Sequence, residues 1–149
     1  MDAEHPPHDI LVPIDFSPGS EHALDYACSL ARKLDATIHL VNAIGAGLPE
    51  LNVALTDQMI ETLRTGAMAQ LEKLAEARRP VARFGKLIVQ PGEARDAILE
   101  TVASVRPDLI VIGSHGRRGV SRFVLGSVAE EVVRRAPCPV LVVRTTKHG

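Results

Sequence analysis

Aromatic residues and cysteine are nearly missing from this chain, and each shortage narrows what it can be. Among 149 residues there is no tryptophan, one tyrosine and three phenylalanines. Stacking platforms for bases or sugar rings therefore have little to be built from. The core must come from Val, Ile, Leu and Ala, within an apolar fraction of 46 %. The two cysteines, Cys28 and Cys138, exclude a disulfide-dense scaffold and form no CxxC pair, so both read as small buried residues. An excess of one charge is also lacking, with 17 basic and 18 acidic residues giving a net of -1. That balance argues against a protein that coats nucleic acid or an anionic membrane. The first eight residues lack the basic start and apolar stretch of a signal peptide, and no run approaches the roughly 18 apolar residues of a membrane span. The expectation is a soluble cytoplasmic protein with a flexible tail over 1–8 and one domain over 9–146, long enough for a single core.

What is present is an alternation. Residues 9–14, Asp-Ile-Leu-Val-Pro-Ile, read as a short parallel strand buried on both faces. Ser17 then sits at a helix N-cap with Pro18 at the first helical position, and Ala23, Ala27, Leu30 and Leu34 recur at helical spacing. Thr37 to Val41 reads as a second strand, followed by a loop of about ten residues around Gly45, Gly47 and Pro49. A longer helix over 56–79 places Ile60, Leu63, Ala67, Leu71 and Leu74 on one face. Residues 84–90 form a third strand, Gly92 opens a third helix that ends at Pro107, and Leu109 to Ile112 form the plainest buried strand. A last helix over 127–135 and a last strand over 140–143 complete the pattern. Five strands alternating with four helices predict a three-layer α/β sandwich around a parallel sheet, because parallel strands need crossover connections. In such sheets ligands bind beyond the carboxyl ends of the strands, where strand order reverses.

After the fourth strand the chain reads Gly-Ser-His-Gly-Arg-Arg-Gly-Val-Ser-Arg-Phe-Val-Leu-Gly-Ser, from Gly113 to Ser127. Glycines at 113, 116, 119 and 126 permit close backbone approach, and a helix begins at Ser127, where exposed amides and the helix dipole favour an anion. Between Leu109 and Ala129 there are three arginines and no acid, a local formal charge of +3. A phosphate cradle suits these residues. A purely structural reading also stands, because Ser127 and Glu130 have the spacing of a capping box. Neither Gly-x4-Gly-Lys-Ser/Thr nor a GxGxxG after the first strand is found, so the usual nucleotide loops are excluded.

The spacing Gly113-x2-Gly116-x9-Gly126-Ser127 resembles the ATP-binding signature of the universal stress protein family. The flanking Val-Pro-Ile-Asp-Phe-Ser at 12–17, Pro-Asp-Leu-Ile-Val-Ile-Gly at 107–113 and Pro-Cys-Pro-Val-Leu-Val-Val at 137–143 resemble it too. The resemblance covers nearly all of the chain after residue 8. It implies an adenine nucleotide alpha hydrolase-like sheet of order 3-2-1-4-5, with strands one and four side by side, and ATP, AMP or ADP across their ends. Pro13, Ile14, Asp15 and Val41 would then border the adenosine part, with Ile112 and Gly113 beneath it. Gly116, Gly126, Ser127 and Val128 would receive the phosphates, within reach of His115 and Arg117. Asp15 suits either a ribose hydroxyl or a phosphate-bound Mg²⁺. Position 129 is Ala, where ATP-binding relatives often carry a hydroxyl.

The last strand carries no charge before Arg144, so as an edge strand it needs a cover. The resemblance implies a homodimer through residues 139–144; the alternative cover is the N-terminal tail or a loop. His22 and His39 lack partners at metal spacing and read as structural or surface residues. No Ser/His/Asp arrangement or carboxylate pair can be assembled, so no catalytic residue is named. Three functions follow: an ATP-binding regulatory or protective stress module, a nucleotide-independent dimeric interaction protein, and a slow ATPase or self-phosphorylating protein with Ser114, Ser121 or Ser127 as acceptor.

Overall fold

A computed structural model describes residues 5–45, 56–115 and 124–144. Among them five strands and four helices alternate as β1 (Asp9–Pro13), α1 (Pro18–Leu34), β2 (Thr37–Gly45), α2 (Asp57–Arg78), β3 (Arg83–Gly92), α3 (Ala94–Val105), β4 (Leu109–Gly113), α4 (Ser127–Arg135) and β5 (Val140–Val143). The strands form one parallel sheet of order β3-β2-β1-β4-β5, the order that the resemblance implies. Successive strand residues point to opposite faces, and the two cores divide accordingly. Ile10, Val12, Leu109 and Val111 pack with α1 and α2, while Leu11, Ile110 and Ile112 pack with α3 and α4. The predicted three layers are thus present, and β1 is buried on both faces.

Local boundaries follow capping chemistry. The Ser17 hydroxyl accepts from the Ser20 amide at 3.2 Å and Pro18 begins the helix, as expected. Thr56 caps α2 in the same way, accepting from the Met59 amide at 3.1 Å. Two expectations are corrected. Gly92 closes β3 with φ +122° instead of opening a helix, and α3 starts after Glu93. On α2, Leu63 points outward at 43 % exposure. Its place on the packed stripe is taken by Arg64, one step along at the 60, 64, 67, 71 spacing, whose guanidinium reaches the Val89 carbonyl at 3.3 Å. The loop around Gly47 and Pro49 lies outside the described residues. Among the described residues no helix is long and apolar enough to cross a membrane.

The amino-terminal end of the sheet is tied by side chains. Asp108 accepts the amides of His8 and Asp9 on one carboxylate oxygen, each at 3.0 Å, while its own amide donates to the Asp9 carbonyl at 2.8 Å. Opposite them, His39 is buried in β2 and has the structural role expected of it. Its Nδ1 accepts from the Lys86 amide at 2.9 Å, so Nε2 carries the proton and donates to Asp9 at 2.8 Å. At this point β3 slips register, with Ile38 paired to Phe84 but Leu40 to Leu87, so that Gly85 and Lys86 together face His39. A Cβ on Gly85 would lie 2.6 Å from the His39 ring.

Gly85→Ala therefore forces the imidazole out of two hydrogen bonds and should lower stability by about 1–3 kcal/mol. Gly66→Ala, in an open position of α2, should raise it by about 0.5–1 kcal/mol. Urea unfolding of the two variants checks the contrast, and equal stabilities would contradict this account of the bulge.

Candidate functional site

The switch point of the sheet lies between β1 and β4, since β1 continues to β2 on one side while β4 continues to β5 on the other. Ile10 and Leu11 pair with Leu109 and Ile110, and Pro13 pairs with Val41, so β1 and β4 end side by side while β2 runs on past them to Gly45. The chain leaving β1 is fastened at once. The Ile14 amide donates to the Val41 carbonyl at 2.8 Å, and the buried Asn42 amide group donates to the Ile14 carbonyl at 2.7 Å. The Asp15 carboxylate accepts from the Ser17 amide at 2.9 Å and from the Ser17 hydroxyl. The Asp15 amide donates to the Ser20 hydroxyl at 3.3 Å. Phe16, between these contacts, takes the left-handed conformation at φ 64°. Such a conformation in a residue with a side chain persists only where its neighbours hold it, as these bonds do.

The chain leaving β4 is fastened backbone to backbone. The Ser114 amide donates to the Val143 carbonyl at 3.0 Å, and the Ser114 carbonyl accepts from the Gly126 amide at 2.8 Å. A Cβ on Gly126 would stand 2.9 Å from that carbonyl, and one on Gly113 would stand 3.0 Å from the Gly19 carbonyl in the first turn of α1. The starts of α1 and α4 therefore meet the end of β4 with no side chain between. At α4 the N-cap is Gly126, which supplies no side-chain bond. Ser127 is the first helical residue and lies exposed, so the capping box expected for Ser127 and Glu130 does not form. The Glu130 amide makes the first helical bond, to the Gly126 carbonyl at 2.9 Å. The amides of Ser127, Val128 and Ala129 precede it and have no acceptor within the helix.

This arrangement is an anion-receptive helix start set beside the end of a buried strand at a sheet switch point. A model of the universal stress protein family matches residues 7–144. The chain belongs to the universal stress protein family. It is 32 % identical over 146 residues to a universal stress protein of Methanocaldococcus jannaschii, with 93 % of this chain and 82 % of that protein covered. The solved structure of hypothetical protein MJ0577 is similar to it with a TM-score of 0.78 at 25 % identity, over 95 % of this chain and 98 % of the other. A universal stress protein solved in complex with cAMP is similar with a TM-score of 0.67 at 25 % identity, covering 94 % and 98 %. One from Archaeoglobus fulgidus in complex with dAMP has a TM-score of 0.64 at 26 % identity, covering 92 % and 98 %.

In this family member the residues singled out from the sequence are not all placed alike. Pro13, Ile14 and Asp15 leave β1 beside Gly113, which ends β4, while Gly126, Ser127 and Val128 begin α4. Val41 and Ile112 lie in the interior, Val41 at 1 % exposure with its carbonyl already bonded to the Ile14 amide. Gly116, Arg117 and Ser121 lie outside the described residues. His115 spans the loop ends, with Nδ1 3.2 Å from the Ser114 hydroxyl and Nε2 against the Val124 carbonyl. Ser114 is buried at 6 % exposure, which places its hydroxyl poorly for accepting a phosphoryl group.

Sequence reading missed Asn42 and Gly19. A lone polar residue in an otherwise apolar strand was the available signal for Asn42; Gly19 becomes meaningful only once α1 and β4 are known to touch. The two cysteines are packing residues, Cys28 with its thiol pushed up to about 11 by burial and Cys138 raised for the same reason.

Proposed function

We propose that this protein binds an adenine nucleotide, as ATP or in its ADP and AMP forms, and acts as a regulatory or protective module in the stress response. The observation that carries the reading is the start of α4. Its first amides lack helical acceptors and a side-chain cap, and the Gly126 to Ser114 bond holds them at the end of β4. The relatives solved with cAMP and dAMP support the adenine part. In this reading Pro13, Ile14 and Asp15 border the nucleoside over a floor of Val41, Ile112 and Gly113. Gly126, Ser127 and Val128 receive the phosphates, joined from the family signature by Gly116 and Arg117.

Asp15 has one carboxylate oxygen shared by two Ser17 donors, which holds the group in place to accept from a ribose hydroxyl. A Mg²⁺ would come on the phosphates, with Asp15 as a single protein ligand. Among the described residues no group of three His, Cys, Asp or Glu is placed to hold a metal. With Ala129 supplying no hydroxyl, the triphosphate gains less over the monophosphate than in relatives that carry one.

Calorimetry should show saturable binding of ATP, ADP and AMP at or below millimolar concentration. Ser127→Glu puts negative charge where the helix dipole favours it, so the variant should melt no lower than the parent yet bind ATP about tenfold or more weakly. No heat with any of the three nucleotides, or undiminished ATP binding by Ser127→Glu, contradicts the reading.

The same proposal includes a homodimer through residues 139–144. The Pro139 and Val143 carbonyls accept from the Ile110 and Ser114 amides, so odd-numbered peptide groups face β4. Those of Val140 and Val142 turn to the open edge. Val142→Pro removes one outward amide and leaves the bonds to β4 intact. Sedimentation should show a dimer for the parent and a folded monomer for this variant, while a monomeric parent would refute the dimer.

A further inference from the structure

We infer that His115 is a positioning residue: its ring ties Val124 to Ser114 and so fixes the start of α4 against the end of β4. What is positioned, the phosphate-receiving amides, rests on the nucleotide reading above; the tie itself does not. The Val124 carbonyl can only accept, so Nε2 of His115 carries the proton and donates to it. In the neutral ring Nδ1 is then an acceptor, and the Ser114 hydroxyl at 3.2 Å donates to it. Both nitrogens are thus engaged within the protein. A direct bond from His115 to a phosphate would have to break one of them.

The tie does not act alone. The Gly126 amide already bonds the Ser114 carbonyl at 2.8 Å, so two links join the same two stretches of chain, one through a side chain and one through the backbone. Ser114 anchors both, and it is held in turn by its amide bond to Val143 in β5. The body of α4 is seated on the core by Ala129 and Val132, but ahead of them the helix start is fixed to the end of β4 by the Gly126 bond. A second link two residues earlier, at Val124, limits the fraying of this first turn, and the amides of Ser127, Val128 and Ala129 then keep one direction. Preorganised donors of this kind bind an anion without first being ordered.

The test separates the tie from a phosphate contact. In the nucleotide-free protein, His115→Ala should speed hydrogen exchange at the Gly126 amide about tenfold or more, while the Ser114 amide, held by β5, stays slow. ATP affinity should fall about tenfold and adenosine affinity should hold. His115→Gln, whose amide reaches the place of Nε2, should restore both slow exchange and ATP binding. His115→Asn reaches only the place of Nδ1 and should restore neither. Unchanged Gly126 exchange in His115→Ala overturns the inference, and with weakened ATP binding it makes His115 a direct phosphate contact. Failure of Gln to rescue exchange overturns it as well. If the parent binds no nucleotide, the function proposed above fails, while Gly126 exchange still decides whether the tie exists.

Discussion

At the end of β4 the backbone of Gly126 approaches the Ser114 carbonyl so closely that no side chain can stand between them, and the site depends on that contact. It sets where α4 begins. Gly113 against Gly19 does the same for α1, so both helices start from one point on the sheet. Their glycines are explained first by protein packing; the open amides of α4 are a consequence of that packing. An N-cap with a side chain would have satisfied one of those amides internally and left the helix start less receptive to an anion.

The two ends of the sheet are secured by different means, and the difference separates support from function. At the amino-terminal end the Asp108 and His39 side chains accept backbone amides at the start of β1 and in β3, and Asp9 accepts from the His39 ring, which leaves a closed structure. At the carboxyl end the ties near β4 run mostly from backbone to backbone, and the first amides of α4 have no acceptor within the helix and no side-chain cap. Asp108 belongs to the Pro-Asp-Leu-Ile-Val-Ile-Gly stretch that carried part of the family resemblance. Its position shows that this stretch serves the fold at its acidic end and the switch point at its glycine end.

Most of the fold was legible because buried parallel strands read as short apolar runs and the first two helices carry ordinary caps. Ser17-Pro18 and Thr56 stand where the structure begins its first two helices. Boundaries failed where a residue type serves two purposes. Gly92, with positive φ, ends a strand as readily as it precedes a helix, and the α2 stripe misread Leu63 because Arg64 turns toward β3, with its guanidinium on the Val89 carbonyl. For the site, glycine spacing located the loop, yet it could not say that Gly126 is crowded by Ser114 or that Ser127 lies inside the helix. Those facts depend on contacts between residues 12 to 94 positions apart in sequence, such as Ser114 with Gly126 and Gly19 with Gly113.

The proposed nucleotide site is built from backbone groups at a sheet switch point, and its test is whether those groups meet the ligand. The most direct measurement of this account is an amide-resolved NMR titration of the protein with AMP and ATP. The account predicts shifts that cluster at Ile14, Asp15, Gly113, Ser114 and residues 126–129, larger at 127–129 for ATP than for AMP, with His8 and Lys86 unmoved. Shifts centred elsewhere, for example on the exposed face of α2 around Thr65 and Glu72, or none at millimolar nucleotide, would contradict it.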